Sequence, residues 1–139
     1  MKTNPIKFAL SLVALCTFTG TAIAGDQEGI QGTWKCEAVT MMGKALPVVA
    51  VEYIFARESL IIRPLDGKEQ TLTFTLDLSE KPPVLVTQLV QPSPGAKAER
   101  VPYELRGDTL KIMPISPGEH VTEISDQVHV VITLKRTTP

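Results

Sequence analysis

Polar and apolar residues alternate one for one along several stretches of this chain. The segment Thr71-Leu72-Thr73-Phe74-Thr75-Leu76-Asp77 repeats with period two, which is typical of a strand with one buried face. Residues 100–106 alternate in the same way and lead through Gly107-Asp108 into residues 109–112, a pattern that predicts a tight hairpin. The chain is therefore expected to consist mainly of strands.

The same pattern predicts eight strands in all, separated by short turns and two longer loops. The strands are expected at residues 30–41, 50–56, 59–64, 71–77, 84–90, 100–106, 109–112 and 128–136. The longer loops cover residues 91–99 and 114–127, and residues 43–49 allow a short helical turn. Eight antiparallel strands in a small domain indicate an all-β fold, either an up-and-down barrel or a sandwich.

The first 24 residues are predicted to be a signal peptide. Lys2 and Lys7 give a positive start, residues 8–16 are apolar, and Ala22-Ile23-Ala24 is a small-x-small cleavage site. The apolar run is shorter than the roughly 20 residues that span a bilayer, so no membrane span is predicted. Residues 25–139 are then one domain, exported to the periplasm or secreted.

Charge and cysteine content narrow the possible partners. The whole chain has 14 Lys and Arg against 15 Asp and Glu, and losing Lys2 and Lys7 would make it more acidic. An acidic chain without basic clusters lacks the electrostatic footprint for nucleic acid. Removal of residues 1–24 would leave Cys36 as the single cysteine, so no internal disulfide is expected. We expect a monomer.

The single tryptophan is predicted to lie inside the fold. Lys35 and Glu37 alternate with Trp34, and since charges face water, Trp34 points inward. The inward row of the last strand is expected to be Val128, Val130, Ile132 and Leu134, followed in phase by Arg136. If the first and last strands are neighbours, Arg136 can stack on the indole, for about 0.5–2 kcal/mol. Gly32 would allow this close approach.

A Gly-x-Trp on the first strand with an Arg on the last strand resembles the lipocalin pattern. More narrowly, four segments together resemble a small lipocalin-like domain of exported planctomycete proteins: residues 31–34, 43–47, 103–111 and 134–136. The resemblance implies an eight-stranded barrel that Gly32, Trp34 and Arg136 close at one end. The chain is shorter than larger lipocalins, shows no C-terminal helix pattern and lacks their disulfide, which puts the size of any cavity in doubt.

The inward positions predict a lining for a ligand pocket, with Tyr53 and Tyr103 as polar groups. The candidates are Cys36, Ala38, Tyr53, Phe55, Phe74, Leu76, Tyr103, Val130 and Ile132. An eight-stranded barrel either fills its interior with side chains or holds one small ligand. The favoured function is non-covalent binding of a small apolar or amphipathic molecule. The alternative is an interaction module that docks a protein or envelope component through its outer face and loops.

Catalytic and metal sites are not predicted. His120 and Glu123 could supply two ligands, but a zinc site needs three or four converging groups. His129 is expected to face outward on the last strand, and no Gly-x-Ser-x-Gly turn is present. Cys36 is expected to be buried and inert. The tripeptide Arg106-Gly107-Asp108 is interpreted as a hairpin turn. No enzyme activity, cofactor or metal is expected.

Overall fold

A computed structural model of the chain describes residues 25–91 and 94–137. These residues form one short helix and nine strands: α1 (Gly25–Gly29), β1 (Gly32–Met41), β2 (Lys44–Leu46), β3 (Ala50–Ala56), β4 (Ser59–Pro64), β5 (Gln70–Asp77), β6 (Val84–Leu89), β7 (Glu99–Arg106), β8 (Thr109–Ile112) and β9 (Val131–Arg136). The predicted signal peptide lies outside the described residues.

The strands close into a barrel because β1 pairs with both β3 and β9. The sheet order is β2-β1-β3-β4-β5-β6-β7-β8-β9, with the additional pairing of β1 to β9. All pairs are antiparallel. Eight strands form the closed barrel, and β2 pairs with the end of β1 as an extra strand. The predicted all-β, lipocalin-like up-and-down barrel is confirmed, and a sandwich is excluded.

Side-chain alternation accounts for the core. In β5, Leu72, Phe74 and Leu76 belong to the core while Thr71 and Thr73 are exposed, as expected for a half-buried strand. Eleven buried residues form one cluster: Ile30, Trp34, Tyr53, Phe55, Leu60, Phe74, Leu85, Tyr103, Leu110, Ile112 and Leu134. Phe55 and Phe74 meet edge to face, with ring centroids 5.1 Å apart. This geometry adds about 0.5–1.5 kcal/mol to their burial.

The two ends of the barrel differ. At one end, here called the closed end, lie α1, the beginning of β1 and the turns at residues 57–58, 78–83 and 107–108. At the opposite open end lie residues 42–49, 65–69, 90–91, 94–98 and 113–130. Because neighbouring barrel strands run in opposite directions, successive connections lie alternately at the two ends.

A bulge in β1 changes which side chains face the core. Cys36 lies opposite Leu134 of β9, but Ala38 lies opposite Thr133, and the register shifts between them. Such a bulge adds one unpaired residue and reverses the alternation beyond it. Ala38 therefore shares the outer face with Thr133, and Val39, opposite Ile132, takes the inner position. The predicted inward position of Ala38 is wrong.

The segment before β9 also departs from the prediction. The strand begins at Val131, not at residue 128, and Val128 is 69 % exposed. The prediction that Val128 faces inward is therefore wrong, whereas Val130, just before the strand, is half-buried. His129 does not lie on a strand. Its Nε2 is 2.6 Å from a carboxylate oxygen of Glu119, so the pair links two distant positions of the 113–130 loop.

A short strand replaces the predicted helical turn at residues 43–49. Met42 and Gly43 both have positive φ angles, 53° and 74°, and form a tight turn that folds β2 back onto β1. Gly tolerates this conformation without a steric cost. The turn is further held by the Met42 N–H, which donates to the Asp126 carbonyl at 2.5 Å.

Candidate functional site

The closed end is built around Trp34 and Arg136, which lie directly opposite each other on β1 and β9. The guanidinium carbon of Arg136 is 4.3 Å from the ring centroid of Trp34, within cation–π range. The indole N–H donates to the Ile30 carbonyl at 2.9 Å, so the polar atom of this fully buried side chain is satisfied. The contact expected from the sequence is present.

Arg136 also ties the closed end together by hydrogen bonds. Its Nη1 donates to the Gln31 carbonyl at 2.6 Å, and its Nη2 donates to the Gly29 carbonyl at the end of α1. Its Nε donates to the Asp108 carboxylate at 3.0 Å. A Cβ at position 32 would lie 3.1 Å from Nη1 of Arg136, and φ of Gly32 is 120°. Glycine is thus required beside this guanidinium.

The segment before β1 covers the closed end of the barrel. Ile30 is fully buried in the core cluster, and the Tyr103 hydroxyl donates to the Asp26 carboxylate at 2.7 Å. The sequence pattern placed Ile30 on a strand and missed α1. Asp26 and Glu28 in its first turn are the available signal, because acidic groups favour a helix N-terminus.

A cavity of about 340 Å³ occupies the other half of the barrel. Its walls come from seven of the eight barrel strands and two open-end loops: Tyr53, Leu60, Ile62, Gln70, Leu72, Leu85, Thr87, Gln88, Leu89, Lys97, Glu99, Val101, Ile112, Pro114 and Ile132. The exposed members of this set, such as Lys97 and Pro114, lie at the open end. The cavity therefore faces solvent at the end opposite to Trp34.

The predicted lining is only partly the lining of this cavity. Tyr53 and Ile132 contribute to its walls. Five others pack against the core without lining it: Cys36, Phe55, Phe74, Leu76 and Tyr103. Ala38 lies on the outer face, and Val130 lies outside the lining. Tyr103 is not a polar group of the cavity because its hydroxyl is bound to Asp26 at the closed end.

Two hydroxyl-bearing side chains belong to the buried part of the cavity wall. Thr87 is 7 % exposed and Tyr53 is 6 % exposed. Burial raises the pKa of Tyr53 to about 12, with a smaller contribution from the nearby Cys36 charge. The polar side chains Gln70, Lys97 and Glu99 lie at the exposed mouth. The cavity thus has apolar walls, polar groups at its entrance and neutral hydroxyl groups within.

Both tyrosines of the chain should resist ionisation in the folded protein. Burial, and then the bond to Asp26, raises the pKa of Tyr103 far above its usual range. Since the pKa values of both tyrosines are raised, their contribution to the free energy of unfolding should be constant below about pH 10 and fall as pH rises further. A spectrophotometric titration should show that both tyrosines remain mostly un-ionised at about pH 11. Ionisation of either tyrosine near pH 10, with circular dichroism unchanged, would contradict the burial of these two side chains.

The remaining groups that could react or bind a metal are Cys36, Asp108 and the other His, Asp and Glu side chains. Burial raises the pKa of the Cys36 thiol, which disfavours the nucleophilic thiolate. Asp108 of the Arg106-Gly107-Asp108 turn is bound to Arg136. No group of three or more His, Cys, Asp or Glu side chains within residues 25–91 and 94–137 could hold a metal ion.

Exposed apolar side chains gather at the open end. In the described part of the chain, seven large hydrophobic residues, here called the rim, are exposed there: Met42, Leu46, Val49, Leu65, Leu89, Val90 and Val128. Neighbouring rim segments are joined by hydrogen bonds, such as the Leu65 N–H to the Val49 carbonyl at 2.8 Å. Leu89 belongs both to the rim and to the cavity wall. Leu89 therefore connects the rim with the cavity wall.

Comparison of the chain with protein-family models, curated proteins and solved structures finds no match in any of the three. The resemblance to exported lipocalin-like proteins therefore stays a prediction. Among the described residues, none of the helices has the length and apolar character needed to cross a membrane.

Proposed function

We propose that this protein binds a small apolar or amphipathic molecule, non-covalently, inside its barrel. The observation that carries the proposal is the cavity of about 340 Å³, which has mainly apolar walls and an entrance at the open end. Ligand pockets combine apolar walls with a few polar groups in this way. Its volume is near the lower end of the roughly 300–1,000 Å³ range of such pockets, which favours a small ligand.

The architecture supports binding from one direction. The closed end is occupied by Trp34, Arg136 and Ile30, so a ligand would enter between the open-end loops. Each Å² of apolar ligand surface removed from water would contribute about 25 cal/mol. Export, proposed from residues 1–24 of the sequence, would place this binding in the periplasm or outside the cell. We also propose that the protein acts without catalysis and releases its ligand chemically unchanged.

A dye titration with a cavity-filling variant tests the proposal. The fluorescence of N-phenyl-1-naphthylamine should rise saturably with wild type, and Leu72→Phe should weaken its binding about tenfold, or about 1.4 kcal/mol, since Leu72 lines the cavity. The matched control is Leu76→Phe. Leu76 lies on the same strand and packs against the same core, but does not line the cavity. Equal affinities of Leu72→Phe and wild type would contradict binding at this site.

The rim favours docking of a partner protein or envelope component as a second candidate function. Its seven large apolar side chains are exposed at the same end of the barrel, and exposed apolar patches often mark interaction sites. The same titration separates the two functions. A folded wild-type protein that binds neither this dye nor any apolar competitor would favour docking through the rim and loops.

A further inference from the structure

We infer that the ligand carries a neutral hydrogen-bonding group, a hydroxyl or a carbonyl, which enters the barrel and bonds to the hydroxyl of Thr87. This inference rests on the proposed function, because it assigns a chemical class to the molecule in the same cavity. A ligand of this class differs from a plain hydrocarbon, and also from a fatty acid whose tail enters the barrel first.

Thr87 is the buried polar residue of the wall. It lies on β6 between the inward residues Leu85 and Leu89, opposite Phe74 of β5 and Glu99 of β7. The residue lines the cavity and is only 7 % exposed. Within the described part of the chain its hydroxyl has no hydrogen-bond partner, whereas the outward Thr73 donates to the Gln88 carbonyl. A buried hydroxyl without a partner is unfavourable, and a ligand oxygen would supply one.

Tyr53 brings a second hydroxyl-bearing side chain to the cavity from another wall. Its strand, β3, is three strands away from β6 in the barrel order, so the two residues lie across the cavity rather than side by side. Tyr53 is 6 % exposed, and within residues 25–91 and 94–137 its hydroxyl also makes no hydrogen bond. Two separate neutral donors thus lie in a wall that is otherwise largely apolar.

The charge of the wall favours a neutral group. Among the described lining residues Lys97 is the single cation, and it is exposed in the loop before β7, whereas the carboxylate-bearing Glu99 lies directly opposite Thr87. A carboxylate placed beside Thr87 would lose its hydration without gaining a cation, which is costly. An alcohol or ketone loses less on entering and can both satisfy the Thr87 hydroxyl and bury its chain against Leu72 and Leu85.

The test compares four ten-carbon probes by displacement of N-phenyl-1-naphthylamine: 1-decanol, 2-decanone, n-decane and decanoate. Thr87→Val removes the hydroxyl with little change of shape. It should weaken binding of 1-decanol and 2-decanone by about two- to tenfold, the range of one hydrogen bond, and leave n-decane unchanged or tighter. Thr87→Ser, which keeps the hydroxyl, should retain the preference for the alcohol over the alkane. Tyr53→Phe removes the second hydroxyl and is likewise expected to weaken binding of 1-decanol and 2-decanone but not of n-decane.

The outcomes separate this inference from the proposed function. If the dye and n-decane bind but neither Thr87→Val nor Tyr53→Phe lowers the affinity for 1-decanol relative to n-decane, the assigned ligand class is wrong while cavity binding stands. Tightest binding of decanoate, unaffected by either variant, also overturns it. If neither the dye nor any probe binds the folded wild type, the proposed function itself fails.

Discussion

Trp34→Ala should lower the free energy of unfolding by about 3–5 kcal/mol, the usual cost of truncating a buried aromatic side chain. Trp34 is fully buried, its indole N–H donates a hydrogen bond to the Ile30 carbonyl, and the guanidinium of Arg136 stacks on its ring. The loss is a large fraction of the roughly 5–15 kcal/mol that stabilises a small domain. Since Trp34 is the single tryptophan, urea unfolding must be followed by circular dichroism.

Val128→Ala is the matched truncation at an exposed position, since Val128 is 69 % exposed. It should change the free energy of unfolding by no more than about 0.5 kcal/mol. A loss below about 1 kcal/mol for Trp34→Ala would mean that this side chain does not hold the closed end, because buried aromatic truncations cost several times more.

Arg136→Lys should lower the free energy of unfolding by about 2 kcal/mol although it preserves the charge. Lysine has no planar face to lie on the Trp34 ring and no fork of donors to reach two carbonyl groups at once. The Gly29 and Gln31 carbonyls would lose the hydrogen bonds that they receive from Arg136. Thermal and urea unfolding of wild type and variant measure the difference.

Arg106→Lys provides the control for a change of side-chain shape at constant charge. The Arg106 side chain is 79 % exposed and is 3.5 Å from Glu104, and exposed pairs of this kind contribute about 0–1 kcal/mol. Its replacement should therefore be close to neutral. Equal stability of Arg136→Lys and Arg106→Lys would show that the stacked guanidinium is not a structural element of the closed end.

The barrel could be predicted because its strands and their closure leave local signals. Alternation identified β5 and β7, and the phase of the last strand brought Arg136 to Trp34. The β1 bulge left no such signal, because one extra residue at Glu37 reverses the faces beyond it while the local composition stays the same. For that reason Ala38 was expected to face inward.

The location of the cavity could not be predicted from alternation, which separates inside from outside but not one end from the other. The large inward residues Trp34, Phe55 and Tyr103 crowd the closed half of the barrel, where they are fully or almost fully buried. Smaller inward residues such as Leu72 and Thr87 leave space in the open half. The difference depends on register between distant strands, which only the folded structure provides.

Methyl and amide NMR shifts during a titration with 1-decanol test the central claim most directly. If the ligand enters the open half of the barrel, saturable shifts should be largest at Thr87, Leu72 and Ile132, which line the cavity. The indole N–H of Trp34, bound to Ile30 at the closed end, should stay unchanged. Shifts confined to the outer surface, or largest at Trp34, would contradict a binding cavity that opens away from the stacked pair.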